Sequence, residues 1–172
     1  MGLDESQAVI GAVGRLETVK GHDLLIEAAA KIESAPFVVI VGEGSRRADL
    51  EVLAEKLGIR KRVRFLGHRD DVAKLLPGFD VLCPPSRAEG LPLAVLEAQA
   101  CGIPVVATDV GDLANPVCPN SGKISPPGNV EALASALSAV IDHPSPVSPK
   151  AFIAAHYDWN TTLAGYAGLL KV

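Results

Sequence analysis

The segment EGLPLAVLEAQACGIPVVATDVG, residues 89–111, is almost entirely apolar, yet it holds two carboxylates, Glu89 and Glu97. Its first half predicts a helix over 92–101. The helix opens on Pro92, a residue suited to a first helical turn because its missing N–H would have gone unpaired there anyway. Gly102 then leads into IPVVAT, 103–108, an apolar run without polar alternation. A strand that is apolar on both faces has to be covered on both, and that is how strands of a parallel sheet read.

The same alternation extends outward in both directions. Apolar runs at 8–13, 37–41, 63–67 and 80–84 predict strands, and a further short strand is expected near 122–125. Between them, 21–32 carries Leu24, Leu25, Ala28 and Ile32 at helical spacing, 45–58 runs from Ser45 to Gly58, and 70–76 is a short helix before Pro77. A helix over 129–141 starts on Asn129, and two more are expected near 149–156 and 160–171. Strands alternating with helices predict an α/β fold, a doubly wound parallel sheet in one domain spanning 1–172. Ligands of such sheets bind beyond the carboxyl ends of the strands. HPSPVSPK, 143–150, reads as a connector.

Composition narrows the classes of function. The 172 residues are 48% hydrophobic and 21% charged, with a net charge of −4. Nothing in that balance points to nucleic acid. No apolar stretch approaches the ~20 residues of a membrane span. The start, Met1-Gly2-Leu3-Asp4-Glu5, lacks the basic and apolar regions of a signal peptide. Cys83, Cys101 and Cys118 show no CxxC or Cys/His spacing, and they read as small buried residues in a reducing compartment. No metal site is expected.

Three strand ends carry chemistry. After the first comes GRLETVKG, 14–21. Arg15 and Lys20, with Gly14 and Gly21 beside them, suit a diphosphate, because glycine admits bulky oxygens and the cations neutralise charge. A pair of solvated surface cations explains the same residues. After the second strand, Gly42, Gly44 and Arg47 fit G-x-G-x-x-R but lack the third glycine and the acidic ribose partner of a dinucleotide fingerprint. A tight turn beside a helix N-terminus is the simpler reading. In the opening segment, Gly90-Leu91-Pro92-Leu93 would place free backbone amides at a helix N-terminus, which attracts anions. Glu97 has Leu93, Ala94, Ala100 and Cys101 at three- and four-residue spacing, while Gln99 projects roughly 160° away. Glu97 therefore reads as a carboxylate among apolar neighbours. A buried carboxylate needs a partner, so ligand hydroxyls are the natural proposal; a salt bridge to an internal cation or a partly exposed edge explains it as well.

GRLETVKG, VGEG, VRFLGHRDDVAKLL, DVLCPPSRAEGLPLAVLEAQACGIPVVATDVG and SPPGN follow one another in an order and spacing that resembles the family 4 glycosyltransferases. The resemblance covers nearly the whole chain. It is to the C-terminal, nucleotide-sugar-binding domain of a two-domain GT-B fold, a Rossmann-like unit, with the N-terminal acceptor domain outside these residues. It implies a retaining, metal-independent transferase that needs no cofactor and takes a nucleotide-diphosphate sugar (UDP-, GDP- or ADP-linked). It implies that Arg15 and Lys20 grip the diphosphate, Glu89 bonds sugar hydroxyls, Glu97 bonds the ribose, and the amides of Gly90 to Leu93 meet sugar and diphosphate. Leu66-Gly67-His68 would lie against the base. The implied partner is the acceptor-binding domain of the same enzyme, in a cytoplasmic setting, with membrane association only through that other domain. The chain departs from the family at GDLANPV, 111–117, where members often carry a Pro-Glu pair. A non-catalytic nucleotide-sugar-binding module, or another GT-B enzyme such as an epimerase or phosphorylase, would share these motifs.

Overall fold

Parallel pairing begins at β1 (Val9–Val13), which sits between β2 (Phe37–Val41) and β4 (Val81–Leu82), while β3 (Val63–Gly67) pairs with the outer side of β2. β5 (Val106–Thr108) pairs with β6 (Lys123–Ser125), also in parallel. A parallel bridge from Leu82 to Val105, and the bond from Leu82 N to the Pro104 carbonyl at 3.0 Å, carry the pairing from β4 across to β5. The order is therefore 3-2-1-4-5-6, the Rossmann order, with its topological switch point between β1 and β4. The structure is a computed structural model and describes residues 7–90 and 92–158.

Both faces of the sheet are covered, as unalternated apolar strands require. Ile10, Ala12, Val38, Ile40, Val81 and Val106 face a core built with α1 (His22–Lys31), α2 (Arg47–Lys56) and α5 (Val130–Asp142). Val9, Val39, Val41, Leu82, Val105 and Ala107 face the other side, against Leu76, Phe79 and α4 (Leu93–Ala100). Gly11 lets Phe79 lie flat on β1, since a Cβ there would stand 2.1 Å from the ring.

The predicted elements all form within the described residues, with shifted ends. Asn129 caps α5, its side-chain oxygen accepting from Ala132 N at 3.0 Å. The helix expected from Ser45 begins at Arg47 instead, because Ser45 spends its hydroxyl and its amide on Glu17 at 2.9 and 3.1 Å. The 70–76 helix reduces to α3 (Val72–Leu75) followed by a 3₁₀ turn, Leu76–Gly78, with Pro77 in its first turn. The helix expected over 92–101 starts at Leu93, with Pro92 extended as its N-cap residue. The helix near 149–156 is α6 (Lys150–His156). The one expected over 160–171 lies outside the described residues.

Candidate functional site

The loop after β1 is drawn tightly against the loop after β2. Gly14 N donates to Val41 O at 2.9 Å, Leu16 N to Glu43 O at 2.8 Å, and Arg46 N to Leu16 O at 2.9 Å. The approach is close enough to demand glycine. A Cβ on Gly42, whose φ is 140°, would stand 2.0 Å from Gly14 O. The chain then makes a 3₁₀ turn, Thr18–Lys20, that ends on Gly21 in the left-handed region.

That turn lies against the loop after β4, where Gly21 comes close to the Pro85 carbonyl. The result brings together two residues 69 positions apart: Lys20 Nζ donates to Glu89 Oε2 at 2.5 Å. Ser86 Oγ donates to the same oxygen at 3.2 Å, and Gly90 N to the other at 3.3 Å. Ser86 is buried, and its carbonyl accepts from Thr108 Oγ1 at 2.6 Å, which ties the loop to the end of β5. Gly111, at φ 52°, lies against the Glu89 carbonyl so closely that only glycine fits. Glu89 is thus framed by the carboxyl ends of β1, β4 and β5.

The remaining expected residues fall around this pair. Gly14, Arg15 and His68 line a cavity of about 440 Å³ that also includes Gly42, Glu43 and Arg69. Arg15 is exposed, and its side chain makes no hydrogen bond or ion pair among the described residues. His68 is exposed and bonds Asp70 at 3.0 Å, while the Leu66 side chain packs into the second core. Gly90 and Leu93 are exposed, Leu93 to 68%. Pro92 has no N–H, so the expected row of amide donors from Gly90 to Leu93 is broken there. Leu91 lies outside the described residues. Arg47 lies over the Phe65 ring, 5.3 Å from its centroid, and pairs with Glu51 at 3.3 Å.

Glu97 takes the exposed-edge alternative over the buried one in the structure. It is exposed, not buried, and its side chain has no partner among the described residues. The buried polar residue of α4 is Gln99, which donates to Val95 O and Pro116 O at 3.2 and 2.6 Å and accepts from Cys118 N at 2.7 Å. The helix is apolar nearly all round, so periodicity does not say which face is covered. Packing selects the stripe of Val95, Ala98 and Gln99, leaving Glu97 on the open side.

Residues beyond those expected surround the pair. Arg87 bonds both oxygens of Asp23, and Ser86 orients Glu89. A serine directly after the paired prolines that end β4 is a polar interruption visible in the sequence. Burial pushes the Asp23 carboxyl up, but the hydrogen bonds and charge of Arg87 outweigh it, and its pKa lies below the ordinary value. His22, the first residue of α1, is 3% exposed, and neither ring nitrogen has a hydrogen-bond partner among the described residues. Burial lowers its pKa, against the opposing effect of the Arg15 and Gly14 backbone. No group of three or more potential metal ligands occurs among the described residues. A second cavity, about 340 Å³, is lined by Asp80, Ser121 and the 144–149 segment, at the amino end of β4 and away from these loops.

The family model for glycosyl transferases group 1 matches residues 1–159. The chain belongs to that family. It is 36% identical to a D-inositol 3-phosphate glycosyltransferase of Corynebacterium urealyticum, over 94% of this chain and 42% of that protein. It is 35% identical to a 2-deoxystreptamine glucosyltransferase of Streptomyces kanamyceticus, over 83% of this chain and 38% of that protein. The structure of Anabaena HepE in complex with UDP and glucose superposes with a TM-score of 0.87 at 26% identity, covering 96% of this chain and 48% of that one. This group 1 glycosyltransferase chain therefore spans less than half the length of each of these relatives.

Proposed function

We propose that this chain is the donor-binding half of a retaining glycosyltransferase that takes a nucleotide-diphosphate sugar without a metal ion. The observation that carries the reading is the meeting of Lys20 and Glu89 at the switch point, with Arg15, unpaired among the described residues, beside the adjoining cavity. In this reading Lys20 and Arg15 neutralise the diphosphate, Glu89 reads sugar hydroxyls, Glu97 reads the ribose from its exposed face, and the cavity beside His68 takes the base. As the glycosidic bond breaks, negative charge gathers on the departing diphosphate, and each fixed cation there would contribute a few kcal/mol to its stabilisation, by the usual size of such effects. Support for the donor class comes from HepE, a related fold whose complex holds UDP and glucose. Retention rests on the family resemblance. The acceptor would be held by a second, N-terminal domain facing this one in a cytoplasmic enzyme, and membrane association would come only through that domain.

The test is titration of the chain with UDP, GDP and ADP and with the matching nucleosides. One diphosphate should bind more tightly than its nucleoside, and Arg15→Ala or Lys20→Ala should remove most of that difference, because both act on phosphate. No binding of any diphosphate, or equal losses for diphosphate and nucleoside, would overturn the reading.

A further inference from the structure

Arg87 stands two residues before Glu89, yet most of its bonds go to the segment that carries Lys20. Its backbone N–H donates to Val19 O at 2.8 Å. Its Nη1 donates to Thr18 O at 2.9 Å and to Asp23 Oδ1 at 2.7 Å, and its Nη2 to Asp23 Oδ2 at 2.6 Å. These acceptors bracket Lys20 on both sides, Thr18 and Val19 before it and Asp23 in the first turn of α1 after it. The two segments also touch at Gly21, where a Cβ would stand 2.0 Å from Pro85 O.

We infer that Arg87 is a positioning residue: it clamps the turn carrying Lys20 to the loop carrying Glu89, and so sets the spacing between the cation and the carboxylate of the donor site. The inference rests on the functional reading above. An isolated surface ion pair would not suffice for this, since such pairs hold geometry weakly. Arg87 differs in three respects. Its contact with Asp23 is bidentate, which fixes angle as well as distance. A third, backbone acceptor shares Nη1. Asp23 is only 24% exposed.

The Lys20–Glu89 pair is not itself a dependable clamp. A phosphate arriving at Lys20, or a sugar hydroxyl at Glu89, would compete for it, and the spacing of the two loops must then be held by something that touches neither ligand. The Arg87–Asp23 pair meets that condition, because neither of its side chains bonds Lys20 or Glu89 among the described residues. The other flank of the turn is pinned separately, by Arg46 Nη1 on Thr18 Oγ1 at 2.8 Å, but that bond leads to the loop after β2 and says nothing about Glu89.

The experiment is an NMR titration of the wild-type chain, Arg87→Ala, Arg87→Lys, Asp23→Asn, Lys20→Ala and the Arg87→Ala/Lys20→Ala double variant with UDP and uridine, or with GDP or ADP and the matching nucleoside if the wild type prefers them. Arg87→Ala should weaken the diphosphate about tenfold, the cost of one charge-assisted contact out of place, and the nucleoside less than about twofold. Arg87→Lys should not restore binding, because an ammonium does not reproduce the fork. In the Lys20→Ala background the further loss on removing Arg87 should fall below about twofold, which a general structural role would not produce. Asp23→Asn, which keeps the side-chain shape, should repeat the pattern and serves if Arg87→Ala fails to fold. Wild-type affinity in Arg87→Ala, an equal loss for the nucleoside, or an undiminished loss in the Lys20→Ala background would overturn the inference while leaving the functional reading standing. A wild-type chain that binds no diphosphate would remove both.

Discussion

Glu89 and Glu97 come from one apolar segment but stand in opposite surroundings. Glu89 is 15% exposed, bonded to Lys20, Ser86 and its neighbour's amide. Glu97 is exposed without a side-chain partner among the described residues. Glu97→Ala should therefore leave stability within about 0.5 kcal/mol of the wild type, as surface changes usually do. It should nonetheless weaken a nucleoside diphosphate through the ribose. Glu89→Ala should leave the diphosphate nearly unchanged and weaken only the increment added by the sugar. Titration with a nucleoside diphosphate and its sugar conjugate checks both, and identical behaviour of the two variants would contradict this division. His22 makes a prediction about pH. Its buried ring, beside the Gly14 and Arg15 backbone and between Lys20 and Asp23, has a pKa below that of the unfolded chain, about 6.5. The unfolded state then binds more protons, so stability falls as pH drops below about 6.5. Urea unfolding at pH 7.5 and 5.5 should show that fall in the wild type and a smaller one in His22→Leu. Asp23 is depressed as well, but its contribution is lost only further down, below about pH 4.

Among the elements, α4 and the loop behind it depend on one side chain. Gln99 is fully buried and satisfies Pro116 O and Cys118 N, two backbone groups that helix and strand leave unpaired. Leu113, also fully buried, anchors the same loop from its other end. This loop is where the sequence departs from the family pattern, and it carries Gly111 against Glu89. Gln99→Leu keeps the volume and removes the bonds. It should cost about 2–4 kcal/mol by chemical denaturation, because two buried polar groups lose their partners. An unchanged midpoint would show that the loop is held by Leu113 alone. One element boundary, the start of α2, moved relative to the sequence reading for a contact of this kind: Ser45 bonds Glu17 across two loops instead of capping its own helix.

At the scale of the whole molecule, the described residues form one Rossmann-like unit, and the site opens at the carboxyl ends of its strands. The prediction is binding without turnover by these 172 residues. Holding an acceptor in line with the donor carbon supplies ~7–11 kcal/mol of a transfer barrier, and in the proposed two-domain reading the opposite domain would do the holding. In that reading a half-cleft open to solvent would also leave Arg15 and Lys20 screened. Affinity for a nucleoside diphosphate should be weak, ~0.1–1 mM or about −5 kcal/mol. Glycosidic product formed by the purified chain from any sugar nucleotide, above spontaneous hydrolysis, would contradict this.

The sequence by itself determined the alternation of elements, the parallel sheet and the Asn129 cap, and it singled out the loops proposed to carry chemistry. Those features rest on short-range causes: apolar periodicity, the conformational demands of glycine and proline, and a side chain bonding an amide three residues on. Arg15, Lys20 and Glu89 were legible as candidates mainly through the resemblance, since a pair of solvated surface cations explains Arg15 and Lys20 equally well on the residues alone. Only the tertiary structure decided that Lys20 and Glu89 meet across 69 positions, that Arg87 and Asp23 bind their loops together, and that Gln99 rather than Glu97 is the buried polar residue of α4. A helix apolar on every side carries no record of which side will be covered. That choice belongs to the strands and loops it packs against, and they are distant in sequence.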